Sequence, residues 1–446
     1  MSRKNGKPGV MLLTVGTGDE KKREETLYTP LRLSIREGLW SRVILLPSLV
    51  TEEWAEEVKR DLAPINVQVR PLPESGDEDD ADRCFDHFDR ILTELKEEGI
   101  ESNLMAVDPT RGTKMMSAAL TLAAVRHDVP HLRYITGQRD HRGAVVPGTE
   151  RIAQFKTTRI MVSHRLEDAL RLFRHGNFAA VLDLLPDPTH PLTVIHWPEE
   201  FHETLSATRA LAKFYEAWDR LNHREAHAVG LPDSEALGSA WRRFYPAEDV
   251  RAWVEQLALT FPEGNDLVTR KEKKAPYLSR LMVDVWANGL RRIKQKQLED
   301  AVVRAYRVLE MAGQMALFRH GQDSSCLDPE DSVVKSYLER SDKSGNTPLS
   351  RNKSGQLMAG RERVTGLLKQ LGDPLAKDLI ALGNLPIMSA RVRNDSVLIH
   401  GFQARAPDEG TMRHFYHLLK EKVLIPGCGS KGESWLSIAQ TSDFLD

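Results

Sequence analysis

The sequence predicts an α/β, doubly wound layer over residues 1 to about 160 and an all-helical region over the rest, on three observations. Short apolar runs alternate with helical stretches only in the first 160 residues. Beyond them, strand signals nearly vanish and apolar stripes recur at helical spacing. Finally, the Gly- and Thr-rich stretches VGTGD (15–19) and DPTRGTK (108–114) directly follow predicted strands, where open α/β sheets bind ligands.

The elements follow in order. VMLLTV (10–15) is an apolar run ending in Gly-Thr-Gly, as a buried parallel strand does, and RVILLPS (42–48) and NVQVRPLP (66–73) read as two more. The acidic run 77–82 reads as a solvated loop before a helix over about 82–98. NLMAVDPT (103–110) is a strand, and a helix opens at Thr113 with Met116, Ala119, Leu120, Ala123 and Ala124 on one face. HLRYITG (131–137) is a further strand, which makes the layer Rossmann-like. In the second region, RLEDALRLFRHGNFAAVLDLLP (165–186) reads as two helices turning at Gly176-Asn177. Single helices are predicted over 208–226 and 298–317, and 339–356 reads as a polar loop.

The 446 residues suffice for two or three domains, each with its own core. A net charge of −2 advertises no nucleic-acid binder, although a local basic patch fits within it. Cys84, Cys326 and Cys428 fit no metal spacing and read as free thiols of a reducing cytoplasm. No apolar stretch reaches the roughly 20 residues of a membrane span.

Two loops carry the binding chemistry. Gly16 and Gly18 let backbone approach a ligand and Thr17 adds a hydroxyl, but no third glycine completes a dinucleotide fingerprint. In the second loop Thr110 precedes Arg111, Gly112 frees the backbone, and Thr113 caps a helix whose N-terminus favours anions. Arg111 and Lys114 add cationic donors where a phosphate would sit.

A third stretch, ARVRNDSVLIHGF (390–402), frames an apolar segment with Arg393 and His400. On a helix this spacing puts both on one face, about 10.5 Å apart along the axis. His400 titrates near neutrality and suits general acid–base work, Arg393 suits a phosphate, and Asn394 sits beside it to orient either. A core histidine with a solvated arginine is the structural alternative.

The strand followed by GTG, then D-x-T-x-G-T-K-x-M and Y-I-T-G-x-R-D, resembles the CRISPR-associated Rossmann-fold (CARF) sensor domain. FYEAWDRLNHREA, DAVVRAYRVLEMAGQ and RNDSVLIHG resemble the helical half of CARF–HEPN ribonucleases. The family often has a glycine where this chain has Arg111. The resemblance implies a sensor over 1–160, a helical linker over about 161–300 and a C-terminal HEPN nuclease domain within 161–446. It implies cyclic tetra- or hexa-adenylate as allosteric activator, held by Gly16, Thr17, Gly18 and Thr110–Lys114. It implies single-stranded RNA as substrate, cut without metal by Arg393, Asn394 and His400 to leave a 2′,3′-cyclic phosphate. A HEPN site is shared across two chains, so a cytoplasmic homodimer of a type III CRISPR antiviral system is expected, with no membrane association and no cofactor.

Two other readings compete. A non-catalytic regulator that senses a cyclic oligonucleotide would leave RNA intact. A metal-dependent nuclease would use Asp266, Glu272 and Lys274 of GNDLVTRKEKK, but these need adjacent strands and the stretch reads as a charged loop. His414 and His417 lack partners for a zinc site, and Trp218, Trp241 and Trp286 read as core.

Overall fold

The computed structural model describes residues 9–139, 141, 145–146, 148–185, 187, 199–260, 267–343, 349–351, 353, 355–388 and 407–440. The chain divides into two compact units, Met1–Ala169 with Leu184–Ser206, and Leu170–Asp183 with Ala207–Asp446.

In the first unit β1 (Gly9–Val15), α1 (Thr29–Arg36), β2 (Trp40–Pro47), α2 (Glu52–Asp61), β3 (Val67–Val69), α3 (Ala81–Glu97), β4 (Met105–Asp108), α4 (Lys114–Arg126), β5 (His131–Thr136) and β6 (Arg151–Lys156) succeed one another. The sheet order is β3-β2-β1-β4-β5-β6. All pairs are parallel except β5 with β6. Side chains of a strand alternate between faces, so each strand feeds two cores. Val10 and Leu12 of β1 join Phe88, Ile91 and the Met116, Ala119, Leu120, Ala123, Ala124 stripe of α4. Met11, Leu13 and Val15 pack instead with Leu31, Ile35, Ala55 and Val58 of α1 and α2. Burying each large apolar side chain fully contributes about 1.5–3 kcal/mol, which is what seats helices on both faces.

Several elements depart from the sequence reading. The third strand is shorter than 66–73, yet Arg70 and Leu72 still donate backbone hydrogen bonds to Leu45 and Pro47 (2.9 Å each). Pro71 and Pro73 lack the N–H a longer ladder needs. The antiparallel strand β6 was not predicted, because its residues are almost all exposed and show no alternation. The acidic run is not a solvated loop throughout: Asp77 is buried, accepts from the Glu74 amide at 2.9 Å and pairs with Arg83 at 3.2 Å. Asp80 caps α3 through the amides of Asp82 and Arg83.

The second region opens with α5 (Thr158–Arg174) and α6 (Phe178–Leu184), which turn at Gly176 (φ 70°) and bring Phe173 to 5.0 Å from Phe178. The single helix expected over 208–226 is two, α7 (His202–Asp219) and α8 (His223–Ala228). Leu221 takes a left-handed φ of 60° at the end of α7, and Asn222 caps α8 through the Glu225 amide. After α9 (Ser239–Arg242) and α10 (Glu248–Leu259), α11 (Leu267–Lys294) and α12 (Leu298–Arg319) form a tightly packed hairpin. Leu298, Val302, Ala305, Leu309, Ala312 and Ala316 make one apolar stripe of α12, buried throughout except at Leu298, which is half-buried. The polar loop expected from 339 is helical through Lys343 in α13 (Ser332–Lys343). A two-stranded ribbon, Ser350–Arg351 with Leu357–Met358, precedes α14 (Arg361–Gln370) and α15 (Leu375–Gly383).

A helix over Glu409–Leu419 then packs against α11 and α12. Tyr416 donates to the Ala301 carbonyl at 2.7 Å, and Trp286 donates to the Tyr416 carbonyl at 3.0 Å. Gly289 of α11 permits this approach: a Cβ there would lie 1.9 Å from the Tyr416 hydroxyl.

Trp218 and Trp286 are almost fully buried, and so is Trp241. Trp218 (3.0 Å) and Trp253 (3.2 Å) donate their indole N–H groups to Asp284, and His223 Nε2 lies 2.8 Å from the other oxygen. Burial alone would push the Asp284 carboxyl up. The His223 hydrogen bond and charge, the Arg291 charge and the Trp218 hydrogen bond outweigh it and hold it below its ordinary 3.8. Asp284→Ala strands these donors in the core, so a loss of about 3–5 kcal/mol is expected in urea titrations at pH 7. The folded carboxyl titrates below the unfolded one, so this stability is complete above about pH 4 and fades as pH falls through the lower folded value.

Candidate functional site

The strand order reverses between β1 and β4, because α1 leads from β1 toward β2 and the chain later returns to place β4 on the other side. The loops after these two strands diverge at their carboxyl ends, the position at which open α/β sheets form a crevice. A cleft of about 290 Å³ lies there, lined by Gly16, Thr17, Gly18, Thr110, Arg111, Gly112 and Thr113. The two loops that the sequence singled out thus form one site. Lys114 is exposed and does not line it.

Glycine is required where the loops meet. A Cβ on Gly16 would stand 2.2 Å from the Arg111 carbonyl oxygen, and one on Gly112 would meet Thr14 Cβ at 2.8 Å and Met116 Cβ at 2.9 Å. Beneath them Asp108 is buried and fixes the second loop. It accepts from the Ser34 hydroxyl (2.5 Å), the Thr110 amide (3.0 Å) and the Thr110 hydroxyl. The Thr110 hydroxyl also accepts from the Ile135 amide at 3.0 Å, so its bonds stay within the protein. Thr113 caps α4 through the Met116 amide (3.1 Å) and donates to the Glu78 carbonyl, which ties the acidic turn to the cleft.

Donors for a ligand come from the backbone and from Arg111. The first-turn N–H groups of α4 lack intrahelical partners, and the helix dipole makes their end positive. Arg111 Nε is buried without a hydrogen-bond partner. Burial lowers the guanidinium pKa, and the charges of Asp108 and Glu150 offset this only in part. The site therefore holds a cation short of counter-charge beside a helix N-terminus, a setting that favours an anion.

Sequence reasoning missed the rest of the lining: Thr26 and Leu27 before α1, Ser48, Val50 and Thr51 after β2, and Glu78. Thr51 donates to the Val15 carbonyl (2.8 Å) and accepts from the Ser48 amide (2.9 Å), so the β2 loop braces the first loop. Ser48 ended a predicted strand at the same sheet edge, and that was the available signal.

Arg393, Asn394 and His400 lie outside the described residues, as does Asp266. The elements flanking Arg393 and His400 in sequence, Pro386–Met388 and Glu409–Leu419, both pack on α12. The charged stretch read as a loop is helical: Glu272 and Lys274 fall in α11, and Lys274 pairs with Asp323 at 3.0 Å. They are therefore not on adjacent strands. His414 and His417 are exposed, and among the described residues no three His, Cys, Asp or Glu side chains cluster as metal ligands. No helix among them is long and apolar enough to cross a membrane.

Residues 269–423 match the family model described as the Csm6 HEPN domain. No curated protein matches the chain. Among solved structures, Csm6 of Enterococcus italicus bound to cyclic hexa-2′-fluoro-hexa-dAMP is similar over 99% of this chain and 100% of its own, at 11% identity and a TM-score of 0.58. Can2 of Sulfobacillus thermosulfidooxidans, in complex with cyclic tetra-adenylate, aligns over 48% of this chain and 67% of its own, at 15% identity and a TM-score of only 0.22. The chain thus shares its fold end to end with Csm6, and residues 269–423 of its helical region match the Csm6 HEPN family model.

Proposed function

We propose that this protein is an endoribonuclease of type III CRISPR defence, switched on when a cyclic oligoadenylate binds the cleft between the β1 and β4 loops. Arg111 carries the sensor half of this reading, as a partly buried cation without a hydrogen bond at Nε, next to the N-terminus of α4. A ring phosphate supplies the missing charge, and the exposed Val50 offers apolar surface to an adenine. The reading is further supported by the cyclic oligonucleotide held by Csm6 of Enterococcus italicus, whose fold is similar.

In the nuclease half, the RNA 2′-hydroxyl attacks the adjacent phosphorus and the 5′-oxygen of the next nucleotide leaves. His400 takes or returns a proton, Arg393 stabilises the crowded anionic phosphorane, and Asn394 orients one of them. The products are a 2′,3′-cyclic phosphate and a 5′-hydroxyl, and no metal takes part. One Arg/His pair is a sparse site, so two chains pair about a two-fold axis that also suits a symmetric ring.

The test is equilibrium titration of fluorescent cyclic tetra- and hexa-adenylate. One ring is expected to bind, and Arg111→Ala to weaken it by about 10- to 100-fold, the worth of a hydrogen bond to a charged group. Equal binding by the variant would remove Arg111 from the site.

A further inference from the structure

The second unit has a cleft that the proposed chemistry does not use. It measures about 700 Å³ and lies between the α5–α6 turn and the α11–α12 link. Arg174, Arg292 and Lys294 line it together with the amide side chains Asn177, Gln295 and Gln297. No carboxylate and no large apolar side chain lines it, and His175 supplies its one ring.

Three cationic side chains thus line a cleft whose lining holds no carboxylate. Asp219 serves two guanidinium groups at once, Arg291 at 2.9 Å and Arg292. Arg174 has no ion pair among the described residues and is exposed. Asp300, in the first turn of α12, is taken by Arg304 at 2.8 Å and lies outside the lining. Arg292 also donates to the side-chain oxygens of Gln295 (2.6 Å) and Gln297 (3.1 Å), which leaves the amide NH₂ ends of both to point elsewhere. The Gln295 NH₂ reaches only a long contact to the His175 carbonyl, at 3.4 Å.

Cations at the C-terminal ends of α5 and α11 are common for a simpler reason, since the helix dipole favours them. That accounts for each end separately. It does not account for two such ends and three amides meeting in one acid-free cleft.

We infer that this cleft holds backbone phosphates of single-stranded RNA, independently of base sequence. Cations with amide donors suit phosphate and ribose oxygens, which every nucleotide shares, so His175 is the one ring in the lining that a base could meet. The inference rests on the ribonuclease reading. The cleft is an anchoring subsite that retains long RNA on the enzyme.

The test uses the full chain carrying His400→Ala, so that RNA stays intact, with and without Arg174→Gln plus Lys294→Gln. Arg292 is left in place because Asp219 depends on it. Binding of a labelled 30-nucleotide RNA of mixed sequence is measured against salt, with Lys369→Gln plus Lys377→Gln as an exposed control of equal charge. Thermal midpoints verify folding. The cleft variant is expected to bind at least fivefold more weakly and to flatten the log K against log salt slope by roughly 1.4, two phosphates' worth. The control is expected to match the parent. Titration with labelled cyclic tetra- and hexa-adenylate is expected to show no difference, which separates RNA from the ring as the source of phosphate. Equal RNA binding by parent and cleft variant overturns the anchoring subsite alone. Failure of the parent to bind RNA at all, with ring present, overturns the ribonuclease reading and the subsite with it.

Discussion

His400→Ala is expected to lower ring-stimulated RNA cleavage by about 10²- to 10⁴-fold, the usual contribution of a positioned acid or base. Ring affinity and thermal midpoint are expected to stay at the parent values. The split separates the two roles open to this histidine. A histidine satisfied inside the core would report mainly as lost stability, whereas a catalytic one reports as lost turnover. Its neighbours in sequence are anchored well: Met388 is buried, and Tyr416 is held by the Ala301 carbonyl. Cleavage by the variant within threefold of the parent would remove His400 from the mechanism.

The second large effect is expected from Gly16→Ala. The added methyl would stand 2.2 Å from the Arg111 carbonyl, and backbone cannot swing aside as a flexible side chain can. The β1 and β4 loops must separate, which costs about 1–3 kcal/mol of strain and displaces Arg111 from its place. Ring affinity is expected to fall about 5- to 150-fold, read by the same titration, and the ring concentration for half-maximal cleavage to rise in step. Basal cleavage without ring is expected to be unchanged. Parent-like affinity would mean that the ligand does not sit where these loops meet.

The parts of the fold that local pattern dictates were legible in the sequence. β1 and β2 are apolar runs because both faces are buried, and α4 shows its stripe because one face meets the sheet. Thr113 was readable as a cap because capping is a local hydrogen bond. What escaped depends on distant partners. Asp77 is buried through Glu74 and Arg83, which no charge run announces. β6 pairs at an exposed edge, where selection for alternation is weak. Leu221 ends α7 in a left-handed turn that a leucine gives no hint of. The charged stretch before Ala275 read as a loop, yet Lys274 belongs to a helix and is held by Asp323. In the cleft, the glycine loops were legible as ligand approaches. The bracing by Thr51 and the contact with Glu78 came from other loops and were not.

The most direct test of a ring-switched ribonuclease is cleavage of a fluorogenic single-stranded RNA in excess EDTA, with no ring, cyclic tetra-adenylate or cyclic hexa-adenylate. Fast cleavage with one ring, slow cleavage without it, and products that end in a 2′,3′-cyclic phosphate are expected. Tight binding of a ring with RNA left intact, or cleavage abolished by the chelator, would contradict it.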